Sequence, residues 1–365
     1  MKILFITRKY PPSKGGMEKV AYELYHHLSE IEEVVLVKWG GSNKWLPLIL
    51  PNILARSFLI LLMNKVDVIY LQDGLLSPLG VIFKIFRIPI VITIHGLDIT
   101  YKNKLYQLII PKCVRHLDKV ICISQATKKE CIKRAILNEN IIVIPNGIKD
   151  EFYNIDESKE KLKNTLSKKI NINLENKKII LSVGRLVERK GIHCFIERVV
   201  PKIVEQRRNV VYLIVGDGIY GDKIKKIINE NNLEDSVIML GEVDYEMLKL
   251  LYNSSDIFVM PNIPVKGDME GFGIVAIEAT SSGIPVIASD LEGIKDAIRN
   301  GKNGILIEYD DLQGFISAII KLLQEDNERK KFGEKAREYS LKNYEWKKIA
   351  NNHLKEFELL KNIEE

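Results

Sequence analysis

Cysteine is scarce: four in 365 residues (Cys113, Cys122, Cys131, Cys194), with no CxxC pair and no histidine at zinc-ligand spacing to any two of them. A structural zinc module and a disulfide framework are thereby excluded, and a reducing compartment is the expectation. No Asp-x-Asp pair occurs anywhere, and no GxxxxGK[ST] loop, so neither a paired-carboxylate metal motif nor a P-loop is available. No arginine-rich or aromatic-interleaved stretch appears, which removes nucleic acid as a partner. The opening apolar run Ile3-Leu4-Phe5-Ile6 is too short for a signal peptide and is followed by Arg8 and Lys9, so a cytoplasmic protein is expected. With 46% hydrophobic and 28% charged residues, the chain is neither disordered nor fibrous, and its length calls for two or three domains.

The net charge of +6 is unevenly spread. Residues 1–150 carry 21 Lys+Arg against 12 Asp+Glu, whereas the rest carry 33 against 36. A first half at +9 points to something anionic meeting it. One segment there, Trp45 to Met63, is apolar apart from Arg56. Pro47 and Pro51 are expected to break a helix, and the run after Pro51 is about 12 residues where a membrane span needs about 20. Asn52–Asn64 reads as a helix packed on a sheet or, second, lying on a membrane surface between Lys44 and Lys65.

Short runs rich in Ile and Val alternate with stretches of helical length. The expected strands are Ile3–Thr7, Val34–Val37, Val66–Leu71, Ile90–Ile94, Lys119–Ile123 and Ile141–Ile144. After a lysine-rich stretch, Lys149–Lys178, come Ile179–Val183, Val210–Val215, Val237–Leu240, Ile257–Met260, Val286–Ala288 and Gly304–Ile307. Continuous apolar strands linked by crossover helices predict doubly wound parallel α/β sheets. Twelve strands are too many for one such domain, so two domains with a boundary near Asp150 are expected, a ligand cleft lying between the carboxyl ends of their sheets.

Four constellations carry chemistry. Gly15-Gly16 after the first strand, ahead of a helix from about Glu18, lets backbone N–H groups approach a phosphate or sugar, although a plain loop glycine pair reads equally well. His95, in Ile94-His95-Gly96-Leu97-Asp98, ends a strand where an imidazole meets substrate. Asp98 would orient it or cap the next helix, and a purely structural histidine is the alternative. Arg185 and Lys190 flank a strand end and a helix start, a fork and a point charge suited to a diphosphate. In Glu270-Gly271-Phe272-Gly273-Ile274-Val275-Ala276-Ile277-Glu278, two carboxylates lie eight residues apart. Eight helical residues rise about 12 Å, too far for a glycosidase pair, which needs about 5–9.5 Å. Gly271 and Gly273 offer N–H groups at a helix N-terminus, and Glu278 can take the two hydroxyls of a ribose.

These motifs in this order resemble the family 4 glycosyltransferases (glycosyl transferases group 1), of two-Rossmann GT-B fold. The matching residues run through Gly15-Gly16, His95-Gly96-Leu97-Asp98, Ile123-Ser124, Pro145-Asn146-Gly147-Ile148, Gly184-Arg185-Leu186 with Lys190-Gly191, and Val215-Gly216-Asp217-Gly218. They continue through Asp256…Pro261, Glu270–Gly273 with Glu278, and Ser282-Gly283-Ile284-Pro285-Val286. The resemblance covers nearly the whole chain. It implies an acceptor-binding domain, 1–150 plus 343–365, and a donor domain, 151–342. It implies that Glu278 binds ribose, Arg185 and Lys190 the diphosphate, and Glu270 with Gly271-Phe272-Gly273 the donor sugar. His95 is implied at the reacting centre, and Gly15 and Gly16 near the diphosphate. Gly216 is implied on the donor side, backbone near Val243 at the base, and Asp98 and Ser124 on the acceptor side. It further implies a retaining, metal-independent transfer of a hexose from a nucleotide-sugar, UDP-sugar before GDP-mannose, to a glycan or lipid-linked acceptor in cell-surface polysaccharide or glycolipid synthesis. No cofactor is expected, the nucleotide-sugar being a co-substrate. A peripheral position at the inner membrane face is the second expectation for location. An epimerase of the same fold and a catalytically silent partner subunit are the alternatives.

Overall fold

The computed structural model describes residues 1–13, 15–148 and 157–364; the expected boundary at Asp150, with Lys14 and Lys149, lies outside them. The chain divides into two compact units. The first comprises Met1–Gly147, Gly267–Phe272 and Tyr344–Glu365, the second Ile148–Lys266 and Gly273–Asn343.

In the first unit β1 (Lys2–Thr7), β2 (Glu33–Lys38), β3 (Val68–Leu71), β4 (Ile90–Ile94), β5 (Lys119–Cys122) and β6 (Ile141–Val143) form one sheet, ordered β2-β1-β3-β4-β5-β6. All its ladders are parallel. Every residue of β3 and β4 is buried, as strands covered by helices on both faces require. In the second unit β7 (Lys178–Val183), β8 (Val210–Val215), β9 (Val237–Gly241), β10 (Ile257–Met260), β11 (Val286–Ser289) and β12 (Ile305–Ile307) are ordered β12-β11-β10-β7-β8-β9, again all parallel. The expected doubly wound α/β class is therefore present twice, and all twelve strands lie where the apolar runs put them, within two residues. In each sheet the winding reverses once, between β1 and β3 and between β7 and β10. At such points loops from adjacent strands diverge and leave a crevice at the carboxyl ends.

The proline expectation fails. A helix runs unbroken over Leu46–Met63. Pro47 sits in its first turn, where the missing N–H has no partner to lose. Pro51 is interior and forfeits one bond to the carbonyl of residue 47, which the rest of the helix tolerates. Ile53, Ser57 and Leu61, spaced i, i+4, i+8, are its only buried residues, and Ile53 and Leu61 join the core with Leu4, Val37 and Leu71. One stripe packs inward on the sheet, as the packed-helix reading expected, and the rest of the helix is exposed or half-buried.

The last helix, Trp346–Glu364, completes the first unit. Tyr70 of β3 meets Phe357 at 5.3 Å and His353 at 5.9 Å between ring centres. Lys361 pairs with Asp67 (3.2 Å) and Lys119 with Glu356 (3.4 Å). The second unit is tied by Asp256, ahead of β10: its buried carboxylate takes Lys159 (2.9 Å), Lys163 (2.9 Å), Arg329 (3.3 Å) and the N–H of Ile179.

Candidate functional site

The site residues fall into two groups, one in each unit. In the first unit His95 follows β4 and is almost fully buried. Its Nε2 lies 2.8 Å from the carbonyl of Gln72, which can only accept, so Nε2 carries a proton and donates it there. Asp98 shapes the turn: one carboxylate oxygen accepts from the N–H of His95 (2.8 Å), the other from Gly74 (3.0 Å). Burial raises the Asp98 pKa, opposed by His95 and by those two N–H groups. Asp98 therefore orients the backbone that carries His95, whereas the expectation was that it would orient the imidazole or cap the next helix. Arg8, after β1, donates to Asp73, after β3, at 2.9 Å, bridging the reversal point of this sheet.

Gly267–Phe272 rests on the same turn. A Cβ on Gly271 would stand 2.1 Å from the carbonyl oxygen of His95, and one on Gly96 (φ 106°) would stand 3.2 Å from the Cα of Gly271. Only glycine permits this backbone-on-backbone contact. Phe272 is buried and edge-on to Tyr344 at 5.9 Å, fastening the loop. Glu270 is half-buried in this non-helical loop, and the helix begins only at Ile274. Only the residues from Ile274 onward rise as a helix, so Glu270 lies outside the helix that carries Glu278.

Gly15 caps the helix Gly16–Ser29, and both glycines are exposed. The Glu18 carboxylate folds back over Gly15, 2.3 Å from where a Cβ would stand, and pairs with Lys9 at 3.1 Å. That carboxylate already answers part of the helix dipole. Gly16, by contrast, opens to empty space. Ser124 is fully buried and caps Gln125–Lys133, its oxygen accepting from the N–H of Thr127 at 3.0 Å. Its hydroxyl thus serves the helix end.

In the second unit the loops after β7 and β10 flank the reversal point. Arg185 is exposed at the end of β7, while Lys190 is 9% exposed and closes the short turn Glu188–Lys190. The Lys190 ammonium lies 3.6 Å from where a Cβ on Gly184 would stand, an ordinary contact distance, and it is the backbone at φ 149° that favours glycine there. Ile263, after β10, donates to the carbonyl of Arg189 at 2.9 Å, knitting the two loops together.

Gly273 (φ 89°) opens the helix Ile274–Ser281. On it Glu278 is 4% exposed and accepts from the hydroxyl of Tyr252 at 3.0 Å. Gly216 ends β8 in a crowded turn, where an added Cβ would stand 2.0 Å from the Gly184 carbonyl. Val243 is half-buried between β9 and the helix Tyr245–Ser254.

Sequence reasoning missed Gln72 and Gly74 as the partners of the His95 turn, and Tyr252 as the partner of Glu278. Nothing in their spacing marks them. It also missed a visible signal: Gly216-x-Gly218-x-x-Gly221 spells GxGxxG between β8 and the helix Gly221–Glu230. Gly216 and Gly218 are used for backbone packing, a Cβ on Gly218 standing 2.4 Å from the Leu186 carbonyl. Among the described residues no group of three or more His, Cys, Asp or Glu is placed to hold a metal ion.

Two family models match the chain: Glycosyltransferase Family 4 over residues 14–152 and Glycosyl transferases group 1 over 163–339. An uncharacterised glycosyltransferase of Methanocaldococcus jannaschii is 28% identical, covering 96% of both chains. The GDP-mannose-dependent alpha-(1-6)-phosphatidylinositol monomannoside mannosyltransferase of Mycolicibacterium smegmatis is 22% identical over 94% of this chain and 95% of its own. Among solved structures, Anabaena HepE in complex with UDP superposes with a TM-score of 0.78 at 20% identity, over 98% of this chain and 100% of that one. With two parallel Rossmann-like sheets and both family models spanning its motifs, the chain belongs to the family 4 glycosyltransferases and has the GT-B fold.

Proposed function

We propose that the enzyme transfers a hexose from a nucleotide-sugar, UDP-sugar first and GDP-mannose next, to a hydroxyl of a glycan or lipid-linked acceptor, with retention and without a metal. The observation that carries this reading is the reversal point of the second sheet. There an exposed Arg185 and a nearly buried Lys190 stand on the loop after β7, and the helix bearing buried Glu278 follows β10. In this reading Arg185 supplies a planar fork and Lys190 a point charge to the diphosphate, and both gain strength as charge develops on the departing phosphate. Glu278, aimed by Tyr252, would accept from the ribose hydroxyls. Glu270 and the backbone of Gly271–Gly273 would hold the donor sugar. Backbone at Gly16 would lie near the diphosphate, Gly15 and Gly216 would shape the donor side, and Val243 would meet the base.

His95, with Nε2 held by Gln72, would present Nδ1 toward the reacting centre, with Asp98 fixing the turn beneath it. The departing phosphate would take the proton of the acceptor hydroxyl on the same face, which retains configuration. The curated relative named for GDP-mannose and the solved relative crystallised with UDP support these two donors as the ones to test first.

The test is a thermal-shift panel of UDP-, GDP- and ADP-sugars. The cognate donor raises Tm at saturation, because a ligand that binds only the folded state stabilises it. Glu278→Ala and Lys190→Ala are expected to keep the unliganded Tm within a few degrees and lose that shift, with turnover down by about 100-fold or more. Near-normal turnover in both variants refutes the assignment. Conversion of UDP-N-acetylglucosamine to an epimer without acceptor would favour the isomerase instead.

A further inference from the structure

The helix Leu46–Met63 has a mean hydropathy of 1.9, long and apolar enough by composition to cross a bilayer, yet only 17% of it is buried. Helices that are apolar all round normally lie inside a protein, so this exposure needs an occupant. The exposure is also concentrated. Of the 19 exposed large hydrophobic side chains among the described residues, 12 lie between Trp45 and Ile109, including Met63 at 81% and Leu62 at 64%.

Several of them share one face with the helix. Phe58 of this helix packs edge-on against Phe86, next to the helix Ser77–Phe83, at 4.9 Å. Leu50, Leu79, Tyr101, Leu105 and Ile109, from this helix, Ser77–Phe83 and the start of Lys104–Arg115, line a shared groove of about 400 Å³.

Charge says what covers the face. From Trp39 to Leu117 there are nine Lys+Arg and three Asp. Of the acids, Asp73 and Asp98 are buried and Asp67 is paired with Lys361. Eight of the nine cations, among them Arg56, Lys65, Lys102 and Lys104, are exposed. An apolar surface set among cations, with no exposed carboxylate, complements anionic headgroups above hydrocarbon. A soluble protein partner would leave these cations to find carboxylates one by one.

We infer that the first unit docks on an anionic lipid bilayer through this face, the Leu46–Met63 helix lying in the interfacial plane. The buried stripe Ile53, Ser57 and Leu61 keeps the helix on its own sheet, so it rests in the interface rather than spanning it. The inference is independent of the donor chemistry proposed above.

The test uses the full chain and sedimented vesicles, either phosphatidylcholine alone or phosphatidylcholine with about 30 mol % phosphatidylglycerol, at about 0.1 M salt. The expected result is binding to the anionic vesicles only. Leu59→Glu with Leu62→Glu should weaken it about tenfold or more, each change placing a carboxylate in the interface. Arg56→Glu with Lys65→Glu should weaken it and flatten its salt dependence. Tm and the donor-induced thermal shift, both measured without lipid, should stay those of the parent in all variants, which separates this inference from the donor reading. It is overturned if the parent protein stays in solution with both vesicles, if it binds both equally, or if Leu59→Glu with Leu62→Glu binds undiminished. It is equally overturned if the lipid-free protein is a dimer that the same pair of changes dissociates.

Discussion

Single residues in this protein are held by contacts that tolerate little change. Gly271 is the clearest: the His95 carbonyl occupies the space its side chain would need. Gly271→Ala should push the loop off the His95 turn. On the proposed assignment of His95 to the reacting centre, a displacement of about 1 Å there can cost about 100-fold in rate, so turnover should collapse while the thermal shift with UDP alone survives. A normal rate in this variant would separate the loop from the chemistry. Asp256 is a different case. Three cations and one N–H hold its carboxyl well below the usual range despite burial, so its contribution is present above the unfolded carboxylate pKa and fades as pH falls below it. Asp256→Asn leaves the three cations facing one another and should cost about 3–5 kcal/mol, measured by denaturant unfolding at pH 7.

Elements show where sequence was sufficient and where it was not. The twelve strands were legible because a parallel strand buried on both faces is an unbroken apolar run, as in Ile90–Ile94 or Val210–Val215. The helix at Leu46 was misread because proline was taken as a stop, whereas in a first turn it removes a donor that had no partner. The residue types of the site were legible from their order along the chain. The grouping of Gly267–Phe272 with the first unit was not, since it rests on a backbone contact that no spacing records.

The C-terminal helix carries a prediction of its own. Burial pushes the His353 imidazole down from 6.5 to about 4, its ring held neutral against the Ile349 carbonyl and beside Tyr70. The unfolded chain therefore binds this proton below about pH 6.5 and the folded one only near 4. Stability from this residue is lost as pH falls across that window, by about 3 kcal/mol in all. His353→Phe should flatten the pH dependence of Tm between pH 4 and 6.5, as measured by calorimetry. An unchanged slope would mean that the ring is solvated.

For the whole enzyme, the absence of any Asp-x-Asp pair leads to the expectation that EDTA leaves turnover unchanged. Activity abolished by EDTA and restored by magnesium would contradict it. Product NMR reports the second molecular property, since retention leaves the anomeric configuration of the donor in the product.

The return of residues 344–365 to the first unit has a consequence for how the protein is made. On the ribosome, the opening α/β layer emerges early but lacks the rings of Trp346, His353 and Phe357 that close its β3 side. Those arrive roughly 200 residues after Gly147, about 10–40 s later at about 5–20 residues per second. During that interval a nascent chain carries an uncapped apolar seam, and a nonsense codon anywhere before the last helix would condemn the beginning of the protein as well as its end.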